Sequence, residues 1–75
     1  MGVLPVISGK SAIKAFEKAG WYIDRRARSR HIVMKKEGRK TTLSIPEHKV
    51  LDRGLLRALI RDAYLSVAEF NELLG

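Results

Sequence analysis

The alternation of apolar and polar positions divides the chain into six elements. In residues 10–19, apolar side chains recur every three or four positions and lysines occupy the opposite side, which is the pattern of an amphipathic helix. Ser8 is suited to cap the start of this helix, and Gly20 is suited to follow its end. A short extended arm, residues 1–7, is predicted to precede it.

The middle of the chain has the alternation and β-branched content of strands. Three strands are predicted, at residues 21–25, 31–36 and 41–45. The basic segment 26–30 connects the first two, and a hairpin turn at residues 37–40, with Gly38 inside it, connects the second and third. Pro46 is expected to end the third strand, because proline has no backbone N–H to donate to a neighbouring strand.

Alternation along these strands also assigns side chains to the two faces of the sheet. The side chains predicted to face the core are Trp21, Ile23, Ile32, Met34, Leu43 and Ile45. Those predicted to face outward are Tyr22, Asp24, His31, Val33 and Lys35. The outward face is therefore expected to be strongly polar.

Two more helices are predicted in the C-terminal third. Asp52 can cap a helix that runs to about Ala63, with leucines and isoleucine on one side and arginines on the other. Ser66 and Glu69 have the spacing of a capping box for a last short helix. The predicted order is α-β-β-β-α-α. We therefore expect an α+β fold, with a three-stranded antiparallel sheet, helices packed on one face, and the other face and one edge open.

Composition and charge narrow the range of partners. A chain of 75 residues is expected to form one domain, residues 1–75, and its net charge of +7 indicates an acidic partner. Nucleic acid or an acidic protein is favoured over a membrane, since the basic residues lie on strand-like and not helical segments. With no cysteine, no long apolar run and no signal-peptide pattern, a cytoplasmic protein without a cofactor is expected.

The basic residues concentrate in residues 25–40, which hold eight of the 15 lysines and arginines and only one acid, Glu37. Apolar residues interrupt the run, so it is interpreted as a basic sheet surface and not as a disordered tail. A surface of this kind suits a polyanion such as RNA. The predicted RNA-binding residues are Arg25, Arg26, Arg28, Arg30, Lys35, Lys36, Arg39 and Lys40.

His31 lies inside this basic segment and is the candidate catalytic residue. RNA supplies its own nucleophile, the 2′-hydroxyl group, so cleavage needs a proton acceptor, a proton donor and cations near the phosphate. Imidazole suits proton transfer near neutral pH, and no metal is needed. The alternative is a passive histidine on an exposed strand. Tyr22 could stack on a base, whereas His48, in a predicted loop, is expected to have a passive role more often than a chemical one.

Several stretches of the chain resemble the HicA toxin family. They are Ser8-Gly9, Ile13-Lys14-Ala15, Lys18-Ala19-Gly20-Trp21, the basic segment that leads to His31, Gly38, Ile45-Pro46, His48, and residues 51–57, 60–63, 65–67 and 69–70. The resemblance implies a fold like a double-stranded-RNA-binding domain and metal-independent cleavage of mRNA that halts translation. It also implies neutralisation by a cognate HicB-like antitoxin.

The chain departs from the family pattern at two points. The family usually has Gly-Ser-His at the catalytic position, where this chain has Ser29-Arg30-His31, so Ser29 becomes a secondary candidate. Counting from Trp21 puts the family histidine at Arg30, whereas counting back from Gly38 puts it at His31. We favour His31, because guanidinium is always charged and cannot accept a proton. In the helical region, Leu55 replaces a threonine and Tyr64 replaces a glycine that are common in the family.

Three hypotheses follow from the sequence. The first is a ribonuclease toxin that uses His31, and the second is an RNA-binding module of the same fold that does not cleave. The third is a helix-turn-helix DNA-binding protein built from the last two helices. It is disfavoured because its recognition helix would carry Glu69 and Glu72 and no cation, and would be repelled by DNA phosphates.

Overall fold

A computed structural model describes residues 3–75, apart from the side chain of Ser29. Its elements are α1 (Gly9–Lys18), β1 (Tyr22–Ala27), a 3₁₀ turn (Arg28–Arg30), β2 (His31–Lys35), β3 (Leu43–Pro46), α2 (Arg53–Asp62) and α3 (Val67–Leu74). The predicted α+β class and element order are confirmed. Met1 and Gly2, the beginning of the predicted arm, lie outside the described residues. None of the helices between residues 3 and 75 is long and apolar enough to cross a membrane.

All three predicted helix caps are present. The Ser8 hydroxyl accepts a hydrogen bond from the backbone amide of the third residue after it, at 3.1 Å, and the Asp52 carboxylate does the same at 3.0 Å. Ser66 and Glu69 form the reciprocal capping box, with distances of 3.0 and 2.8 Å. Each cap satisfies an amide at a helix start that has no partner within the helix, which is typically worth about 1 kcal/mol.

The strands have different ends from those predicted. β1 runs to Ala27, two residues further than expected, because Arg26 and Ala27 still pair with β2. β3 begins at Leu43 and includes Pro46, whereas the third strand was predicted to stop at Ile45. Pro46 is tolerated because β3 is an edge strand of a sheet with the order β1-β2-β3, so its missing N–H removes no necessary hydrogen bond.

One face of the sheet forms the core with the three helices. The largest fully buried side chains come from the helices, from β2 and β3, and from the residue just before β1. They are Trp21, Phe16, Phe70, Ile32, Met34, Leu43, Ile45, Leu56 and Ile60. The rings of Phe16 on α1 and Phe70 on α3 have centroids 5.1 Å apart, which joins the first and last helices. The inward assignments on β2 and β3 are thus confirmed.

A β-bulge in β1 changes which side chains face outward. Ile23 pairs with Met34, but the next pair joins Arg25 to Val33, so Asp24 is an extra residue on β1. Simple alternation would place Arg25 on the same face as Ile23. The bulge instead moves Arg25 to the open face of the sheet.

Candidate functional site

The open face of the sheet, opposite the helices, presents three rows of side chains. In an antiparallel sheet, directly paired residues point to the same side. The register therefore defines the rows Ala27–His31–Pro46, Arg25–Val33–Ser44 and Tyr22–Lys35. His31 and Tyr22 face outward as predicted. Val33 also faces outward, but its neighbours cover it and leave it only 7% exposed.

His31 has two diagonal neighbours on this open face. Arg25 and Ser44 both pair with Val33, two residues along β2 from His31. Diagonal neighbours of this kind lie about 7–8 Å apart, within reach of a long side chain. Ser44 was not identified from the sequence. The alternation of Leu43, Ser44 and Ile45 would have indicated an outward hydroxyl group on β3.

The 3₁₀ turn places two more arginines beside His31. Arg28 and Arg30 are both exposed and lie directly before β2. Arg30 has a left-handed backbone with φ of 59°, which is unfavourable by about 1–2 kcal/mol for a residue other than glycine. Its carbonyl accepts a hydrogen bond of 2.9 Å from the backbone amide of Glu47, which helps to hold this conformation. The side chain of Ser29, a secondary candidate, lies outside the described residues.

Arg26 lies on the other side of the sheet. It pairs with the buried Ile32, and its guanidinium forms an ion pair with the Glu47 carboxylate. The side chain of Glu47 is 15% exposed, while that of Arg26 is 66% exposed. Because the backbone amide of Glu47 also donates to the carbonyl of Arg30, Glu47 joins β1, the turn before His31 and the segment after β3. Arg26 is therefore part of the support of the site and does not lie on the open face.

Replacing Glu47 with glutamine is expected to lower the free energy of unfolding by about 1 kcal/mol or less, because the guanidinium of its partner Arg26 is 66% exposed and remains solvated. The loss should shrink at high salt, where the attraction is screened. Urea unfolding at low and high salt measures both effects. Asp62→Asn is the control, since Asp62 pairs with Arg61 at 3.6 Å and both side chains are more exposed than Glu47. A loss that is unchanged by salt would contradict the role of the ion pair.

The remaining cations of residues 25–40 lie near the far end of β2. We name Lys35, Lys36, Arg39 and Lys40 the turn-end cations. His31 is four residues from Lys35, about 13 Å along the strand. Lys36 Nζ donates to the Ala19 carbonyl at 2.8 Å and so caps the end of α1. Arg39 stacks 4.0 Å over the ring of Tyr64, and Lys40 is exposed.

Two secondary candidates lie apart from His31. Tyr22 is 48% exposed on the open face, but it pairs with Lys35 and so belongs to the row furthest from His31. His48 is exposed, two residues after β3, and its carbonyl accepts a hydrogen bond of 2.9 Å from the Gly9 amide. His48 therefore helps to hold the start of α1 through its backbone.

The open face carries basic side chains, and the carboxylate of Asp24 lies close to two of them. The Asp24 carboxylate lies 3.0 Å from Arg25 and 3.8 Å from Lys35, so it offsets part of the charge at the centre of the face. Within residues 3–75, no group of three or more His, Cys, Asp or Glu side chains is placed to hold a metal ion. The arrangement offers one imidazole and several guanidinium groups, which suits proton transfer beside a bound anion.

These features define a small, strongly basic α+β fold that presents a histidine among arginines on an open sheet face. The family model for the HicA toxin of bacterial toxin–antitoxin systems matches residues 9–65. The chain therefore belongs to the HicA toxin family. The match runs from the start of α1 to the connection after α2 and stops before α3. No match was found among curated proteins or among solved structures.

Proposed function

We propose that this toxin is a cytoplasmic endoribonuclease that cleaves mRNA without a metal and uses His31 for proton transfer. The observation that carries the proposal is the position of His31 on the open face, with Arg25 diagonal to it and Arg28 and Arg30 directly before it. Family membership supports the toxin role and an antitoxin partner, which we propose to be HicB-like. Inhibition of translation would follow from loss of intact mRNA.

The proposed reaction is a transesterification within the RNA. The His31 imidazole accepts the proton of a ribose 2′-hydroxyl, whose oxygen attacks the adjacent phosphorus. The bond from phosphorus to the 5′-oxygen breaks, leaving a 2′,3′-cyclic phosphate, and the imidazolium returns its proton to the leaving 5′-oxygen. Arg25, Arg28 and Arg30 stabilise the negative charge that accumulates on the phosphate oxygens.

The rest of the open face is proposed to hold the RNA strand. Lys35 and Tyr22 share a row about 13 Å from His31, so an RNA strand crossing the face would meet both. Lysine binds phosphate, and the exposed tyrosine ring offers a surface for base stacking. Arg39 and Lys40 extend the positive charge beyond this row, while Lys36 and Arg26 support the fold through their contacts with Ala19 and Glu47.

The test of the proposal is incubation of purified toxin with RNA in excess EDTA. We expect fragments with 2′,3′-cyclic phosphate or 3′-phosphate ends and free 5′-hydroxyl groups. Loss of cleavage in EDTA, restored by a divalent ion, would contradict the metal-independent mechanism. Fragments with 5′-phosphate ends would contradict attack by the 2′-hydroxyl group.

The second candidate function is RNA binding without cleavage. Counting forward from Trp21 places the position of the family histidine at Arg30. Arginine cannot accept a proton, so this count favours binding without cleavage. The same cations would still bind phosphate. This candidate predicts RNA binding with no fragments at any toxin concentration.

Both candidates predict binding that weakens with salt. Replacing Lys40 with glutamine should reduce the slope of log affinity against log salt by about 0.7 for single-stranded RNA, the effect of one lost phosphate contact. Fluorescence anisotropy at several salt concentrations measures this slope. Arg57→Gln, at an exposed position on α2, is the control and should leave it unchanged. An unchanged slope for Lys40→Gln would remove Lys40 from the RNA surface.

A further inference from the structure

β1 is the least covered element of the sheet. It has a strand neighbour on one side only, and of its six residues all except Ala27 are exposed. Ile23 is 47% exposed although it pairs with the fully buried Met34. An open strand edge with an exposed apolar side chain favours association with another strand. β1 is thus the strand of the sheet most suited to contact a partner.

A groove of about 200 Å³ runs between α1 and the helix-facing side of β1. α1 packs mainly over β3 and α3, so it leaves this side of β1 uncovered. Ile13, Ile23 and Ile32 contribute apolar walls, and Lys10, Lys14 and Glu17 line the groove from the side of α1. The groove is thus suited to an apolar side chain that is flanked by negative charge.

The charges around the groove indicate the chemistry of its occupant. Lys10 and Lys14 are exposed and form no ion pair with another residue of the described chain. Two acids also line the groove: Glu47, whose carboxylate is paired with Arg26, and Glu17, which is exposed on α1. The lining thus holds three cations, Lys10, Lys14 and Arg26, against two acids, and on a chain with a net charge of +7 this excess favours an acidic segment.

We propose that an extended, acidic segment of the antitoxin pairs with the open edge of β1, inserting an apolar side chain beside Ile23 and placing acidic side chains near Lys10 and Lys14. Strand addition of this kind combines backbone hydrogen bonds with pockets for alternate side chains. A protein strand is favoured over RNA, since the unpaired edge offers backbone groups and the walls are isoleucine. This inference rests on the proposed antitoxin partnership.

The proposed surface is separate from the chemistry. Ile23 faces the helix side of the sheet, whereas His31 faces the open side. The bulge at Asp24 interrupts the edge, which limits pairing to the regular stretches on either side of it. Binding to the antitoxin and cleavage of RNA should therefore respond to different substitutions.

The test is Ile23→Asp, with the protein encoded by the adjacent reading frame as the binding probe. Calorimetry should show at least a tenfold weaker complex for the variant, while the rate of RNA cleavage and the thermal melting midpoint stay close to those of the parent. Val3→Asp is the matched control, because Val3 is 81% exposed and does not line the groove. It should bind the probe as the parent does.

A second variant and a second measurement keep the test informative if Ile23→Asp fails to fold. Lys10→Glu combined with Lys14→Glu should also weaken the complex at least tenfold, and complex formation should slow amide hydrogen exchange in residues 22–27. Parent-like binding by both variants, equal losses in Val3→Asp, no binding of the probe to the parent, or no change in exchange would each overturn the proposal. A loss of RNA affinity in Ile23→Asp as large as the loss of probe affinity would assign the groove to RNA instead.

Discussion

Replacing His31 with alanine is expected to reduce the rate of RNA cleavage by about 10²–10⁴-fold, the usual contribution of a general acid or base. Alanine cannot accept the 2′-hydroxyl proton, and the arginines that bind the phosphate remain in place. The fold should persist, because His31 is only partly buried and its pairing with Ala27 and Pro46 is made by the backbone. RNA affinity should therefore change far less than the rate. Single-turnover cleavage in EDTA, together with binding at equilibrium, measures the two effects separately.

Two further variants sharpen this test. His48→Ala removes an exposed imidazole outside the sheet, and it should cleave at close to the parental rate. Arg30→His places an imidazole at the alternative family position. If His31→Ala cleaves as fast as the parent, His31 is not the catalytic group. A gain of activity in Arg30→His, with an inactive parent, would favour the RNA-binding alternative for this chain.

Replacing Gly9 with alanine is expected to lower the free energy of unfolding by about 3 kcal/mol, at the upper end of the usual cost of overpacking. A Cβ atom at Gly9 would lie 2.1 Å from the carbonyl oxygen of Pro46 and 3.1 Å from the Cα atom of Glu47. These are backbone atoms, so no side chain can rotate away to relieve the overlap. Urea unfolding measures the loss of stability.

Gly54→Ala is the matched control, since Gly54 also lies in the first turn of a helix. A Cβ atom there would approach only the Asp52 carboxylate, at 3.2 Å, and alanine favours the helix. Its stability should stay within about 1 kcal/mol of the parent. Similar losses in the two variants would contradict the close approach at Gly9.

The same contact connects α1 to the site. Pro46 is the backbone partner of His31 on β3, and the Gly9 amide donates to the His48 carbonyl. Displacing Pro46 should therefore disturb the strand that supports His31. We expect Gly9→Ala to cleave RNA more slowly than Gly54→Ala even at temperatures where both variants are folded.

Much of the fold could be predicted from the sequence because it depends on local interactions. Ser8, Asp52 and Ser66 cap helices by bonding amides three residues away, so spacing alone identified them. The inward side chains of β2 and β3 follow from alternation. Glycine at positions 20 and 38 adopts positive φ, with values of 98° and 79°, where chain reversals were expected. The α+β order follows from these local patterns.

The arrangement of the site depends on contacts between residues that are distant in the sequence. The bulge at Asp24 reverses the alternation of β1, and only the pairing with β2 reveals that Arg25 reaches the open face while Arg26 turns to Glu47. In the sequence, the positive charge of residues 25–40 is continuous. The sequence therefore does not show that the turn-end cations and His31 lie near opposite ends of β2. The chain by itself therefore determined its elements, its caps and its basic character, because each depends on near neighbours. Tertiary structure decided which cations surround the imidazole and which strand stays uncovered, because register and helix packing are set by contacts across the whole domain.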